Sequence, residues 1–229
     1  MTLHVLTGAG SGIGAALAAR LHARGDDLIL FARSDARATQ LRERFPGAYT
    51  VVADLAAPRD LAAALARHDL PARLDSLLHV AGVVDLGPVA ELTVDAWSSQ
   101  LDVNLVAPAE LTRLLLPALR AAKGQVLFVN SGAGLRAAPE WAAYAASKHG
   151  LKALADSLRA EEAAHGVRVS TVYPGRTATA MQERVHAQEG RDYDPTAFID
   201  PASVVTSILT VLDLPRDAQI PDLTIRPGF

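Results

Sequence analysis

The sequence predicts a doubly wound α/β fold: a mostly parallel seven-stranded sheet with helices on both faces, in a single domain over residues 1–229. Three observations predict it. Short apolar runs alternate with longer helical patterns along the chain, and strands separated by helices imply right-handed crossovers into a sheet covered on both faces. A glycine-rich loop, Gly8 to Gly14, joins the first apolar run to the first helical stretch. No charge run, serine/glycine linker or repeat interrupts the alternation, and 229 residues suffice for one large core.

The elements follow in order. Leu3 to Thr7, Leu28 to Phe31 and Tyr49 to Ala53 are short apolar runs, read as strands, with helical stretches near 13–24 and 35–44 between them. Helical patterns at 58–68 and 93–120 flank a strand from Leu74 to Val80. Gln125 to Asn130 and Val167 to Tyr173 are strands around a helix at 142–164, and a helix at 201–212 precedes a weak strand, Leu223 to Ile225. Residues 178–200 break the pattern: polar and charged, they follow Pro174-Gly175 and precede Pro201. Beyond a strand's carboxyl end such an insertion is either a substrate lid beside the ligand crevice or a disordered surface loop.

Composition removes several function classes. Half the residues are hydrophobic and only 5% aromatic, which suits alanine-rich helices packed closely on a sheet. The net charge of −3 supplies no electrostatic footprint for nucleic acid or an anionic membrane. Without cysteine the chain has no disulfide, iron–sulfur cluster or thiol nucleophile, and its seven histidines show no HExxH-type pair, so no catalytic metal is expected. Strand-like residues from Leu3 leave no room for a signal peptide, and no run approaches ~18 uninterrupted apolar residues. The expected location is cytoplasmic.

The loop "TGAGSGIG", Thr7 to Gly14, carries glycines at 8, 12 and 14 between a strand and a helix. Glycine there permits a tight turn and close approach of a pyrophosphate to backbone N–H groups, while the helix N-terminus adds partial positive charge. The loop reads as a dinucleotide site. An acid about 20 residues further on would read the ribose 2′-hydroxyl of NAD; here the second strand ends in Ala32, Arg33 and Ser34. A guanidinium and a hydroxyl suit a 2′-phosphate, so NADP(H) is expected over NAD.

Further along, "YAASK" places Tyr144 and Lys148 four residues apart in a helical run, one turn of ~5.4 Å, so phenol and ammonium can lie side by side. With the glycine loop, this pentapeptide makes the chain resemble the short-chain dehydrogenase/reductase family, in its small single-domain branch with a Rossmann fold. Ser131 lies 13 residues before Tyr144, Asn104 lies 40 before it, and Pro174-Gly175 ends the following strand, all as in that family. The resemblance covers essentially the whole chain.

The resemblance implies a catalytic tetrad of Asn104, Ser131, Tyr144 and Lys148. It implies cofactor contacts at Gly8, Ser11, Gly12, Ile13 and Gly14, at Arg33 and Ser34, at Asp54-Leu55 and at Ala81-Gly82. Tyr144, Lys148, Pro174, Gly175, Thr177 and Thr179 would complete the set around the nicotinamide. Asp54 has a second reading as a helix cap. One departure stands out: His79-Val80 replaces the family's usual Asn-Asn before Ala81-Gly82, and His79 reads as a packed or hydrogen-bonded substitute rather than a base.

The implied reaction is NADPH-dependent interconversion of a carbonyl and its alcohol, with Tyr144 as general acid/base. An ordinary phenol has a pKa of ~10, and the Lys148 ammonium is expected to lower it. Ser131 would bond the substrate oxygen, and Asn104 would anchor water for a relay to Lys148. Two other readings stand beside it. A 3-oxoacyl carrier-protein reductase would use a basic patch of Arg136, Arg176 and Arg184; a non-enzymatic dinucleotide-binding regulator would keep the fold alone. Leu135, Trp141 and Met181 are candidate pocket walls, and the family implies a homodimer or homotetramer acting on a small molecule.

Overall fold

Seven parallel strands form one sheet in the order β3-β2-β1-β4-β5-β6-β7. They are β1 (Leu3–Thr7), β2 (Asp27–Ala32), β3 (Tyr49–Val52), β4 (Ser76–His79), β5 (Gln125–Val129), β6 (Arg168–Pro174) and β7 (Asp222–Ile225). This computed structural model describes residues 2–228; Met1 and Phe229, the ends of the expected domain, lie outside the described residues. The chain winds from β1 to β3 and then crosses back to β4, so the strand order reverses between β1 and β4, where open α/β sheets bind ligands.

The central strands read as continuous apolar runs because both faces are covered. Successive residues point to opposite sides. Leu6, Leu30, Leu78 and Val129 meet α1 (Gly12–Ala23), α2 (Asp35–Arg44) and α8 (Pro201–Leu212). Val5, Ile29, Leu77 and Phe128 meet α3 (Leu61–Leu65), α5 (Ala107–Ala122) and α6 (Ala142–Glu162).

Three stretches differ from the expected elements. The pattern at 58–68 folds as a 3₁₀ turn, Pro58–Asp60, followed by the short α3. The helix expected over 93–120 is broken into α4 (Val94–Leu101), a π-helical turn Asp102–Val106, and α5. Pro108 supplies the reason: it has no N–H for the Asn104 carbonyl four residues back, and its ring crowds that carbonyl, so the helix widens there. The stretch 178–200 contains a helix, α7 (Ala180–Gln188), capped by the Thr179 hydroxyl, which accepts from Gln182 N at 3.2 Å. Among the described residues no helix is long and apolar enough to cross a membrane, and no cluster of potential metal ligands occurs.

Candidate functional site

The glycine loop folds against the start of α1 so tightly that side chains are excluded at two points. Gly8 has φ +79, and a Cβ there would lie 2.8 Å from Ala81 N; one on Gly14 would lie 2.1 Å from Gly8 O. Backbone, not side chain, therefore forms this surface. Ser11 caps α1 with extended backbone and leaves its hydroxyl out of the cap, and the first turn carries no acid. Backbone amides at the positive end of α1 are the groups that an anion would meet here. Ile13 packs on the core below, and a Cβ on Gly12 would lie 3.1 Å from the methyl of Thr179.

At the end of β2, Arg33 is exposed and Ser34 caps α2, its hydroxyl accepting from Arg37 N at 3.4 Å. Asp54, also exposed, accepts from Ala56 N at 2.9 Å: it closes a turn of its own after β3 rather than capping a helix. Leu55 packs on the core. Ala81-Gly82 lie beside the glycine loop, and Thr7 pins this strand end, its hydroxyl accepting from Val80 N at 3.1 Å and Ala81 N at 3.2 Å. His79 is buried, shares a 2.9 Å hydrogen bond with the Thr112 hydroxyl and stacks on Phe128 at 4.9 Å. Burial pushes its pKa down to about 3, so the ring is neutral and packed at physiological pH.

The π turn swings Asn104 into a fully buried position. Its Oδ1 accepts from Val83 N at 2.9 Å; its Nδ2 donates to Val83 O at 2.9 Å and to the Ser147 hydroxyl at 3.0 Å. Ser147 in turn donates to the Tyr144 carbonyl at 2.7 Å. Both Nδ2 protons are thus committed, and Pro108 has no N–H to offer the Asn104 carbonyl. Asn130, ending β5, donates to Lys148 O at 3.0 Å and accepts from Ser131 N at 2.8 Å. Thr7, Asn130 and Ser147 were not among the expected site residues; Asn130 and Ser147 are legible only as polar neighbours of Ser131 and Lys148 in "VNSG" and "AASK".

Those bonds bring Ser131, Tyr144 and Lys148 together at the carboxyl end of β5. Lys148 Nζ lies 5.8 Å from the Tyr144 ring centroid and donates to Val129 O at 3.2 Å. A Cβ on Gly82 would lie 3.6 Å from the same nitrogen and 3.2 Å from Asn104 Oδ1, so the Ala81-Gly82 turn sits directly against Asn104 and Lys148. Burial pushes Lys148 down to about 8. It also pushes the Tyr144 phenol up from its ordinary value, with the Ser131 side chain acting the other way. The expected lowering is therefore overturned in the chain alone: with Tyr144 only 7% exposed, desolvation of the phenolate outweighs the Ser131 hydrogen bond that favours it.

After β6, Gly175 N donates to Ile225 O at 2.8 Å and the Thr177 hydroxyl to Gly175 O at 3.0 Å, fixing the turn that begins at Pro174. Thr179 then lies over Gly12. Trp141 packs edge-on against Tyr144 with ring centroids 5.7 Å apart, and Met181 is half-buried, while Leu135 is 44% exposed. Arg176 forks onto Glu189 and lies 5.7 Å over the Trp141 ring. That pairing takes Arg176 out of the expected basic patch and leaves Arg136 and Arg184 as its exposed members.

A family model described as short chain dehydrogenase matches residues 3–190. Oxidoreductase UcpA of Escherichia coli (strain K12) is 32% identical over 221 residues, covering 94% of this chain and 81% of its own. A putative NAD(P) dependent gluconate 5-dehydrogenase from Beutenbergia cavernae, solved with bound NADP, is 30% identical with a TM-score of 0.82, covering 97% of this chain and 94% of its own. 4-Hydroxyisoleucine dehydrogenase complexed with NADH is 26% identical with a TM-score of 0.84, covering 98% and 97%.

Proposed function

The chain belongs to the short-chain dehydrogenase/reductase family, and on that premise we propose that it is an NADPH-dependent oxidoreductase that interconverts a carbonyl compound and its alcohol by hydride transfer. The observation that carries this reading is the meeting of buried Tyr144 and Lys148 with half-buried Ser131 at the same edge of the sheet as the glycine-rich loop, by the strand reversal. The residues fit the cofactor: Gly8, Ser11, Gly12, Ile13 and Gly14 with the α1 amides would hold its pyrophosphate, and Asp54-Leu55 and Ala81-Gly82 would flank its adenosine half. Arg33 and Ser34 would hold a 2′-phosphate, which favours NADP(H); relatives hold either form. Lys148 and Pro174 to Thr179 would fix the nicotinamide end. Bound NADPH supplies the hydride.

The chain's own groups manage the proton. Tyr144, protonated because burial raises its pKa, donates to the carbonyl oxygen as negative charge develops there, and the Ser131 hydroxyl holds that oxygen in line. Lys148 stabilises the phenolate left behind, and water on the Asn104 carbonyl returns a proton along that side. In the oxidative direction the phenolate takes the alcohol proton. The reading includes a small-molecule substrate, a cytoplasmic setting, a lid at 178–200, and a homodimer or homotetramer built on α5 and α6. A panel of ketones, quinones and 3-oxoacyl thioesters, each with NADPH and with NADH, checks it by loss of nicotinamide absorbance. Turnover with NADPH preferred is expected; NADPH binding without turnover on any of them would instead point to a regulator.

A further inference from the structure

Loops from β4, β5 and β6 and the end of α7 close into a ring of contacts beside Tyr144. Gly87 N, after β4, donates to Glu140 O at 2.9 Å. Glu140 holds a left-handed backbone, φ +67, and hands the chain to Trp141, which rests edge-on against Tyr144. Arg176, after β6, lies over the Trp141 ring and forks onto Glu189 at the end of α7, at 2.8 Å for one of the two bonds. The adjoining Gln188 donates to Asp85 Oδ1 at 2.7 Å and accepts from Leu86 N at 3.3 Å, which returns to Gly87. At its other end α7 begins with Thr179 on Gly12. Nine residues of helix, roughly 13 Å, therefore bridge the glycine loop and the loop after β4.

The links are unequal. The Arg176–Glu189 fork is part-buried, with the Glu189 side chain 11% exposed, and the guanidinium is also stacked on an aromatic ring. Gln188 makes its two bonds at exposed positions, where water competes for the same groups. The ring is built to part there. We propose that Gln188 is a specificity-determining latch: while its carboxamide bridges Asp85 and Leu86, α7 stays shut over the Tyr144 pocket, and small carbonyl substrates are selected over bulky ones. This deepens the oxidoreductase reading and rests on it for the word substrate, but the closure itself is a property of the folded chain.

The test uses the full chain, with Gln188→Ala, Asp85→Ala and the double variant. Turnover of a four-carbon diketone and of an acetylnaphthalene is measured with NADPH. The ratio of kcat/KM, bulky over small, is expected to rise roughly threefold to tenfold in Gln188→Ala, the worth of one or two exposed hydrogen bonds, and to rise no further in the double variant. An unchanged ratio, or effects that simply add, overturns the latch. Hydrogen exchange of the amides of residues 180–189 decides without catalysis: faster exchange in Gln188→Ala, and no more in the double variant, supports closure, and unchanged exchange sinks it. Failure of the unmodified chain to reduce any carbonyl would remove the oxidoreductase reading, while the exchange result would still rule on the latch.

Discussion

At the end of β5, Asn130 and Ser131 turn the chain toward α6, and side chains there are tied to neighbouring carbonyls and to each other: Asn130 to Lys148 O, Lys148 to Val129 O, Asn104 to the Ser147 hydroxyl, Ser147 to Tyr144 O. At the end of β2, Arg33 and Ser34 turn the chain toward α2, and among the described residues the side-chain contact that Ser34 makes is one capping bond of 3.4 Å, with the Arg33 guanidinium in solvent. The corner proposed to handle the proton is largely buried and held by these bonds. The corner that would choose between nicotinamide cofactors is exposed at Arg33 and only half-buried at Ser34. Positions within a few tenths of an ångström matter where a proton and a hydride move together; discrimination between a phosphate and a hydroxyl needs only charge within reach.

The largest effect expected from breaking the buried corner is Tyr144→Phe. Removing the phenolic oxygen should cost on the order of 10³-fold or more in kcat, since a positioned acid alone is worth ~10²–10⁴, while NADPH affinity by fluorescence titration stays within about twofold. Retained turnover would assign the proton to another group.

Lys148→Met should abolish turnover as well but stabilise the fold. Burial holds the lysine at about 8, below its ordinary ~10.4, so the unfolded chain binds the proton more tightly and folding at pH 7 works against a desolvated charge. Denaturant unfolding should find Lys148→Met more stable by about 1–3 kcal/mol at pH 7. Between about pH 8 and 10 the native lysine is already neutral while the unfolded one is charged, so unmodified stability rises with pH and the gap to Lys148→Met closes. A gap that widened over that window would contradict the burial argument.

The exposed corner predicts a change in selectivity with little change in stability. Arg33→Ala should lower the preference for NADPH over NADH by about tenfold to a hundredfold, the range of a charge-assisted contact to phosphate, with unfolding unchanged within ~0.5 kcal/mol. Equal loss with both cofactors would mean that Arg33 supports the corner's shape instead.

Much of this architecture is legible in the residues. The β1 loop, the alternation of strands and helices, and "YAASK" follow from periodicity and spacing, because each is set by neighbours in sequence. What was not legible depends on contacts between distant segments. The break at Asn104 needed Pro108 to be weighed against the helix-compatible residues on either side of it, and the helix at 180–188 was masked by its charge. The upward shift of Tyr144 depends on how completely α6 is covered, which pattern does not give. The bridging roles of Ser147 and Asn130 require knowing that α5 and β5 meet α6 at that turn.

The smallest effect sharpens the contrast most directly, because it makes one chemical change at both corners. Ser147 is fully buried between Asn104 Nδ2 and Tyr144 O, so Ser147→Ala strands a buried amide proton and should cost about 1–3 kcal/mol, together with a several-fold fall in kcat as Asn104 loosens. Ser34 caps a helix that water can also cap, so Ser34→Ala should cost about 0.5–1 kcal/mol and leave kcat for NADPH-saturated enzyme unchanged, its effect falling on cofactor affinity. Paired denaturant melts and saturation kinetics on the two variants read both quantities. Equal losses of stability, or a kcat effect at Ser34, would mean that the two corners are held alike and that the division between a rigid proton site and an adaptable cofactor corner is wrong.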